Sequence, residues 1–240
     1  DSLVNKLIKA GVEGIVRASV TKSPKQNTQD LLKDCESFAT GTPEYVDCID
    51  NANEIIKIYE NIITNSSTIR STAEGYVMIL QQVVKYDELY KNLIDSGEEI
   101  RIGTSTPFTI GAYEALTLVI SQCPYVITNN QTILDAYLIR RAEALAGLVS
   151  AVKETAESKN NILWLNDFIT RLGNATDTLA VSDLSQELDN KFDATMLSLM
   201  LSGAIDRYQK LRLNYYEAIG IYFTNGVGGY RGGGISIRCR

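Results

Sequence analysis

The sequence predicts an all-α protein, a secreted multi-helix bundle with a long C-terminal helix and a Gly-rich, disulfide-tethered tail. Three observations predict it. Apolar residues recur at three- and four-residue steps along most of the chain. Threonine-proline pairs and single glycines punctuate those stretches where helices should start and stop. Outside the tail, no stretch carries a strong hairpin signal.

The elements follow in order. Leu3, Val4, Leu7, Ile8, Val12, Ile15 and Val16 form one apolar face, broken at Ser23-Pro24. A short helix from about Thr28 carries Leu31, Leu32, Cys35 and Phe38. Thr42-Pro43 supplies an N-cap and a first-turn proline for a helix bearing Tyr45, Ile49, Ile55, Tyr59 and Ile63. The next helix is expected from Ser67 to Asp95, with Gly97 past its end. Thr106-Pro107 repeats the start signal for a helix to Gln122, stopped by Cys123-Pro124. Further helices are expected at about Thr132 to Glu157 and Asn161 to Leu172, the latter ended by Gly173.

The last helical pattern runs from about Ser182 to Thr224. As one rod it would reach about 65 Å, longer than the roughly 45 Å diameter of a compact chain of this size. Either a break is therefore expected, with Ser202-Gly203 as its place, or a helix that projects from the body. Beyond Asn225-Gly226, six glycines fall within residues 226–234, and Ile235-Ser236-Ile237 suits a short extended piece.

These elements suit a single helical domain over residues 1–240, with candidate halves at 1–124 and 125–225 and the tail at 226–240. A chain of 240 residues buries about 73% of the surface its unfolded form exposes, so its own core suffices.

Composition excludes several function classes. Histidine is absent, which removes histidine-based triads, the usual zinc and copper sites and the commonest general base. Neither a metal nor another cofactor is expected. The formal net charge of −6 disfavours general nucleic-acid binding, because an acidic chain repels phosphate backbones. No stretch approaches the roughly 18 apolar residues of a membrane span. The glycine-rich tail lacks GxGxxG spacing, because Arg231 stands where the third glycine is needed.

The chain begins at Asp1, without Met or a signal-peptide pattern, so removal of a targeting segment is expected. Three sequons, at Asn65, Asn130 and Asn174, all fall between expected helices and suit a secreted, extracellular glycoprotein. Four cysteines without CxxC spacing suggest two disulfides. Cys35 and Cys48 sit on consecutive helices joined by a short turn, which leaves Cys123 for Cys239.

Carboxylates and tyrosines are the remaining chemistry. Asp87 interrupts an apolar stripe between Val83 and Tyr90. Three outcomes are open for it: reaching water by a small helix rotation, structural pairing, or a functional site with a raised pKa. Glu143 and Asp206 lie within a turn of arginines and read as surface pairs. Thirteen tyrosines against five phenylalanines suit half-wet surfaces and polar-tipped pockets. No constellation identifies an active site, so a non-catalytic protein is expected, with a histidine-free enzyme working through carboxylates and tyrosines as the alternative.

Two binding roles remain. The first is a carrier holding a small apolar ligand or lipid between helices. Tyr86, Asp87, Tyr90, Met196, Met200, Tyr208 and Tyr215 are then its candidate wall, provided the helix bearing Asp87 packs on the last one. The second is an extracellular interaction or structural glycoprotein that presents a helical surface to a protein partner.

Overall fold

In a computed structural model, the described residues are 30–100, 108–122, 131–224, 229–231 and 234–236. The amphipathic stretch before residue 30 lies outside them, as do Thr106-Pro107, Cys123, Asn130 and Cys239. The described residues are mostly helical. Five helices account for this: α1 (Pro43–Asp95), α2 (Ala112–Gln122), α3 (Gln131–Gly173), α4 (Thr178–Lys191) and α5 (Ala194–Thr224). Strands β1 (Glu98–Ile100) and β2 (Phe108–Ile110) pair antiparallel, with Glu98 opposite Ile110. Strands β3 (Gly229–Arg231) and β4 (Gly234–Ser236) pair likewise in the tail.

Several helix boundaries differ from those the sequence suggests. The expected gap at residues 64–66 is absent, and α1 runs through Asn65. Thr68 and Thr72 donate their hydroxyls to the carbonyls of Thr64 and Thr68, at 3.1 and 3.2 Å. Such back-bonding lets hydroxyl residues sit inside a helix instead of competing with it. The gap expected near residue 159 is absent too. Ser158 is fully buried within α3, so packing holds the turn that local composition leaves weak.

The last pattern does break, but at Phe192-Asp193. Phe192 adopts an extended backbone (φ −128°, ψ 142°) and is itself buried. Gly203 stays inside α5, where one glycine costs about 1 kcal/mol relative to Ala, too little to end a helix. The helix expected from Thr106 starts instead at Ala112, because Phe108-Thr109-Ile110 pairs as strand and buries Ile110.

Other signals are met as written. Thr42 Oγ1 accepts from the Tyr45 amide at 3.3 Å at the start of α1. At its end Gly97 has φ +68° and donates its amide to the Asn92 carbonyl at 3.0 Å. A Cβ there would lie 1.7 Å from the Ile110 carbonyl oxygen, so only glycine fits beside β2.

The chain divides into two compact units, each drawn from two separated stretches. Unit 1 comprises residues 1–75 and 165–193. Cys35 and Cys48 are disulfide-bonded there, with Cα atoms 5.7 Å apart. Its buried residues include Ile55, Tyr59 and Ile62 of α1, Leu165, Phe168 and Leu172 of α3, and Val181 and Leu188 of α4. Arg171 donates to both Glu187 oxygens at 2.9 and 2.8 Å, tying α3 to α4.

Unit 2 comprises residues 76–164 and 194–240. Its core joins Tyr90, Leu93 and Ile94 of α1 to Leu116 and Val119 of α2, Tyr137 and Ala144 of α3, and Leu211, Tyr215 and Ile219 of α5. This core positions the candidate site.

Candidate functional site: a buried charge cluster beside a small hollow

Asp87 lies on the face of α1 that also buries Val83 and Tyr90, and is 1% exposed. On α5, Arg207 occupies the stripe between the buried Ala204 and Leu211. The packing of these helices brings the two interruptions together. Arg207 donates through one nitrogen, Nη2, to Asp87 Oδ1 and to Glu154 Oε2 of α3. Three helices therefore meet at one guanidinium.

The charges do not balance if both carboxyls ionise. Burial pushes Asp87 up to about 7, and the neighbouring Glu154 carboxyl pushes the same way, against the lowering effect of Arg207. Burial opposes the Arg207 charge, but hydrogen bonds to Asp87 and Glu154 outweigh it and hold that pKa above its ordinary value. Among the described residues, Asp87 Oδ2 and Arg207 Nε have no hydrogen-bond partner.

Beside the cluster is a hollow of about 340 Å³. Tyr90 lines it from α1, Glu143, Ala144, Ala146 and Gly147 from α3, and Arg207, Lys210, Leu211 and Asn214 from α5. Tyr90 donates its hydroxyl to the Ala144 carbonyl at 2.8 Å. A Cβ on Gly147 would sit 2.1 Å from that hydroxyl, so the glycine makes room for the contact. Lys210 bridges Glu143 at 3.2 Å, so Glu143 pairs across helices instead of with an arginine on its own helix.

A second cluster is built on Glu98. Tyr208 Oη and Arg212 Nε donate to its Oε1 at 3.2 and 3.1 Å, and Tyr216 donates to Oε2. Tyr215 donates to the Glu98 carbonyl at 3.5 Å. Burial pushes Tyr90 and Tyr215 up to about 12, so both hydroxyls remain protonated donors at neutral pH. Held this way, they orient helices and are poorly suited to act as bases.

The tyrosines and Asp87 singled out by sequence thus fall into one unit, with the Tyr86 and Tyr208 rings 6.1 Å apart. Of the seven candidate wall residues only Tyr90 lines the hollow. Asp87 stands behind it, holding Arg207. Met196 is 62% exposed and Met200 half-buried, and neither reaches the hollow. Sequence reasoning missed Arg207, Glu154, Lys210 and Asn214. One signal was available: Arg207 interrupts its apolar stripe with the charge opposite to that of Asp87.

Among the described residues, no cluster of three or more potential metal-ligating side chains occurs, and no helix is long and apolar enough to cross a membrane. No protein-family model, curated protein or solved structure matches this chain.

Proposed function

We propose that this chain is a secreted, non-catalytic binding protein whose working surface is the exposed apolar face of α3 in unit 2. The observation that carries this is the mismatch between the apolar arc of α3 and the core it serves. Tyr137, Ala144 and Ala151 are buried, yet Leu138, Ile139, Leu145, Val149 and Val152 stand in solvent on the adjoining face. A contiguous exposed apolar strip of this kind marks an interaction site. The buried cluster and the Glu98 clasp then serve as the rigid frame behind that face. The disulfide and the exposed sequon at Asn174, in the turn after α3, support an extracellular setting.

The test is a photo-crosslinking amino acid placed at Val149 and, as control, at the exposed Ser150 on the polar side, in protein secreted by cells. A discrete adduct from Val149 alone is expected. Equal adducts from both positions, or none from either, would reject the surface.

The hollow favours a second role, binding a small ligand with an apolar body and a polar end. Its volume reaches the lower range of ligand pockets, and Leu211 and Ala144 offer apolar wall beside Asn214 and the Tyr90 hydroxyl. Native mass spectrometry of the purified protein distinguishes this role. A bound small species supports it, and the bare chain mass rejects it.

A further inference from the structure

We propose that the α3 face is closed by a second copy of this chain, with the two α3 helices antiparallel and the two-fold axis crossing the seam between Leu145 and Val149, at the level of residue 147. This rests on the α3 face being the working surface and names its partner.

The exposed positions have the spacing of a coiled-coil seam. Leu138, Ala142, Leu145, Val149, Val152 and Ala156 alternate steps of four and three, and all are exposed, Val149 by 71%. One further step at each end reaches Asp135 and Lys159, also exposed. From Asp135 to Lys159 the seam spans about three and a half heptads, enough for a coiled-coil pairing.

The order of residues along this seam is self-complementary in only one direction. An antiparallel pair centred at the level of residue 147 sets each position against the one equally far on the other side. Leu145 then meets Val149 of the second copy, Ala142 meets Val152, and Leu138 meets Ala156. Each alanine thus faces a valine or a leucine, and no layer sets alanine against alanine. The outermost layer sets Asp135 against Lys159, twice over by symmetry, so that the Lys159 ammonium, which already meets Glu88 of its own unit at 2.8 Å, gains a second carboxylate.

A parallel pair in register does the opposite. Ala142 and Ala156 would face themselves and leave holes. Asp135 would face Asp135 and Lys159 would face Lys159, and like charges held together oppose association. The flanks set no like charges against one another in the antiparallel pair. On one side Lys153 falls across from Ile139 and Ala146 across from itself. On the other, Arg141 is already held by the Tyr113 hydroxyl, to which it donates at 2.7 Å.

The test uses the full chain in analytical ultracentrifugation. A dimer is expected, and Val149→Glu should dissociate it without change in helical circular dichroism, since residue 149 is outside the unit's own core. Asp135→Lys should weaken the dimer about tenfold by placing like charges at both ends. Adding Lys159→Asp together with Glu88→Lys to that variant should restore the wild-type affinity, because the pair is then reversed across the two-fold and the contact that Lys159 makes with Glu88 is reversed with it. A monomeric wild type, or a dimer indifferent to Val149→Glu, would overturn the inference. Failure of the triple variant to regain affinity would overturn the antiparallel pairing. If the chain is a monomer while Val149 still forms a specific adduct with a different protein, the second copy is excluded and the α3 surface stands. If the adduct is missing as well, both fail.

Discussion

Arg207 and Asp87, 120 positions apart in sequence, meet inside unit 2 through a hydrogen bond from the guanidinium Nη2 to the carboxyl Oδ1. Glu154 accepts from the same nitrogen, so the contact fixes α1, α3 and α5 together. Asp87 is fully enclosed, whereas Arg207 and Glu154 retain 21% and 19% side-chain exposure. The cluster is therefore solvated on one side only.

Removing the guanidinium should be costly. Arg207→Leu leaves two carboxyls facing each other without a cation, and breaking a buried pair in this way costs about 3–5 kcal/mol. Asp87→Asn keeps the shape and a polar partner for Arg207, and should cost less. Denaturant unfolding of both variants checks the order, and equal stabilities would contradict the role given to Arg207.

The same cluster makes stability depend on pH. Asp87 titrates at about 7 in the folded state against 3.8 for an unperturbed group, so the folded protein holds its proton more tightly. The associated stability is complete below about pH 4 and is lost as pH rises through 7, with a slope of up to about 1.4 kcal/mol per pH unit from this group. Asp87→Asn should flatten that part of the profile between pH 4 and 7. A wild type whose stability rises through this window, with the same rise in the Asn variant, would show that Asp87 is not held protonated.

Glycines in the helices should respond in opposite directions to a methyl group. At Gly203 and Gly75 an added Cβ meets nothing within 4 Å, so Ala should stabilise by about 0.5–1 kcal/mol. Gly147→Ala drives a Cβ into the Tyr90 hydroxyl and displaces it from the Ala144 carbonyl. A loss of about 1–3 kcal/mol is expected from overpacking and the freed buried carbonyl. Melting temperatures of the three variants provide the check, and a stabilised Gly147→Ala would contradict the close approach.

The disulfide offers a local test in unit 1. It closes a loop between residues separated by 13 positions. In the chain-entropy account a loop of this length is worth about 3 kcal/mol. The double variant Cys35→Ala/Cys48→Ala should lose stability on that scale in denaturant unfolding, and no change would mean that the unfolded chain gains nothing from release of the loop.

The sequence by itself determined the helical class, the capped start of α1 at Thr42-Pro43, its stop at Gly97 and the pairing of Cys35 with Cys48. Each of these is written in local spacing: a 3.6-residue apolar period, a cap within one turn, two cysteines joined by a short turn. Tertiary packing decided where helices continue and where they break. Asn65-Ser66-Ser67 and Ser158-Lys159-Asn160 look like gaps because their own propensities are weak, yet the flanking apolar faces hold both helical. Ser202-Gly203 looks like a break, but Phe192 ends α4 because its ring is buried and its backbone must extend to place it there. Packing also decided the fate of Asp87. One sequence stripe shows a carboxylate out of place, and only the meeting of α1 with α5 supplies the cation, because a partner 120 positions away is set by the fold and not by any local spacing.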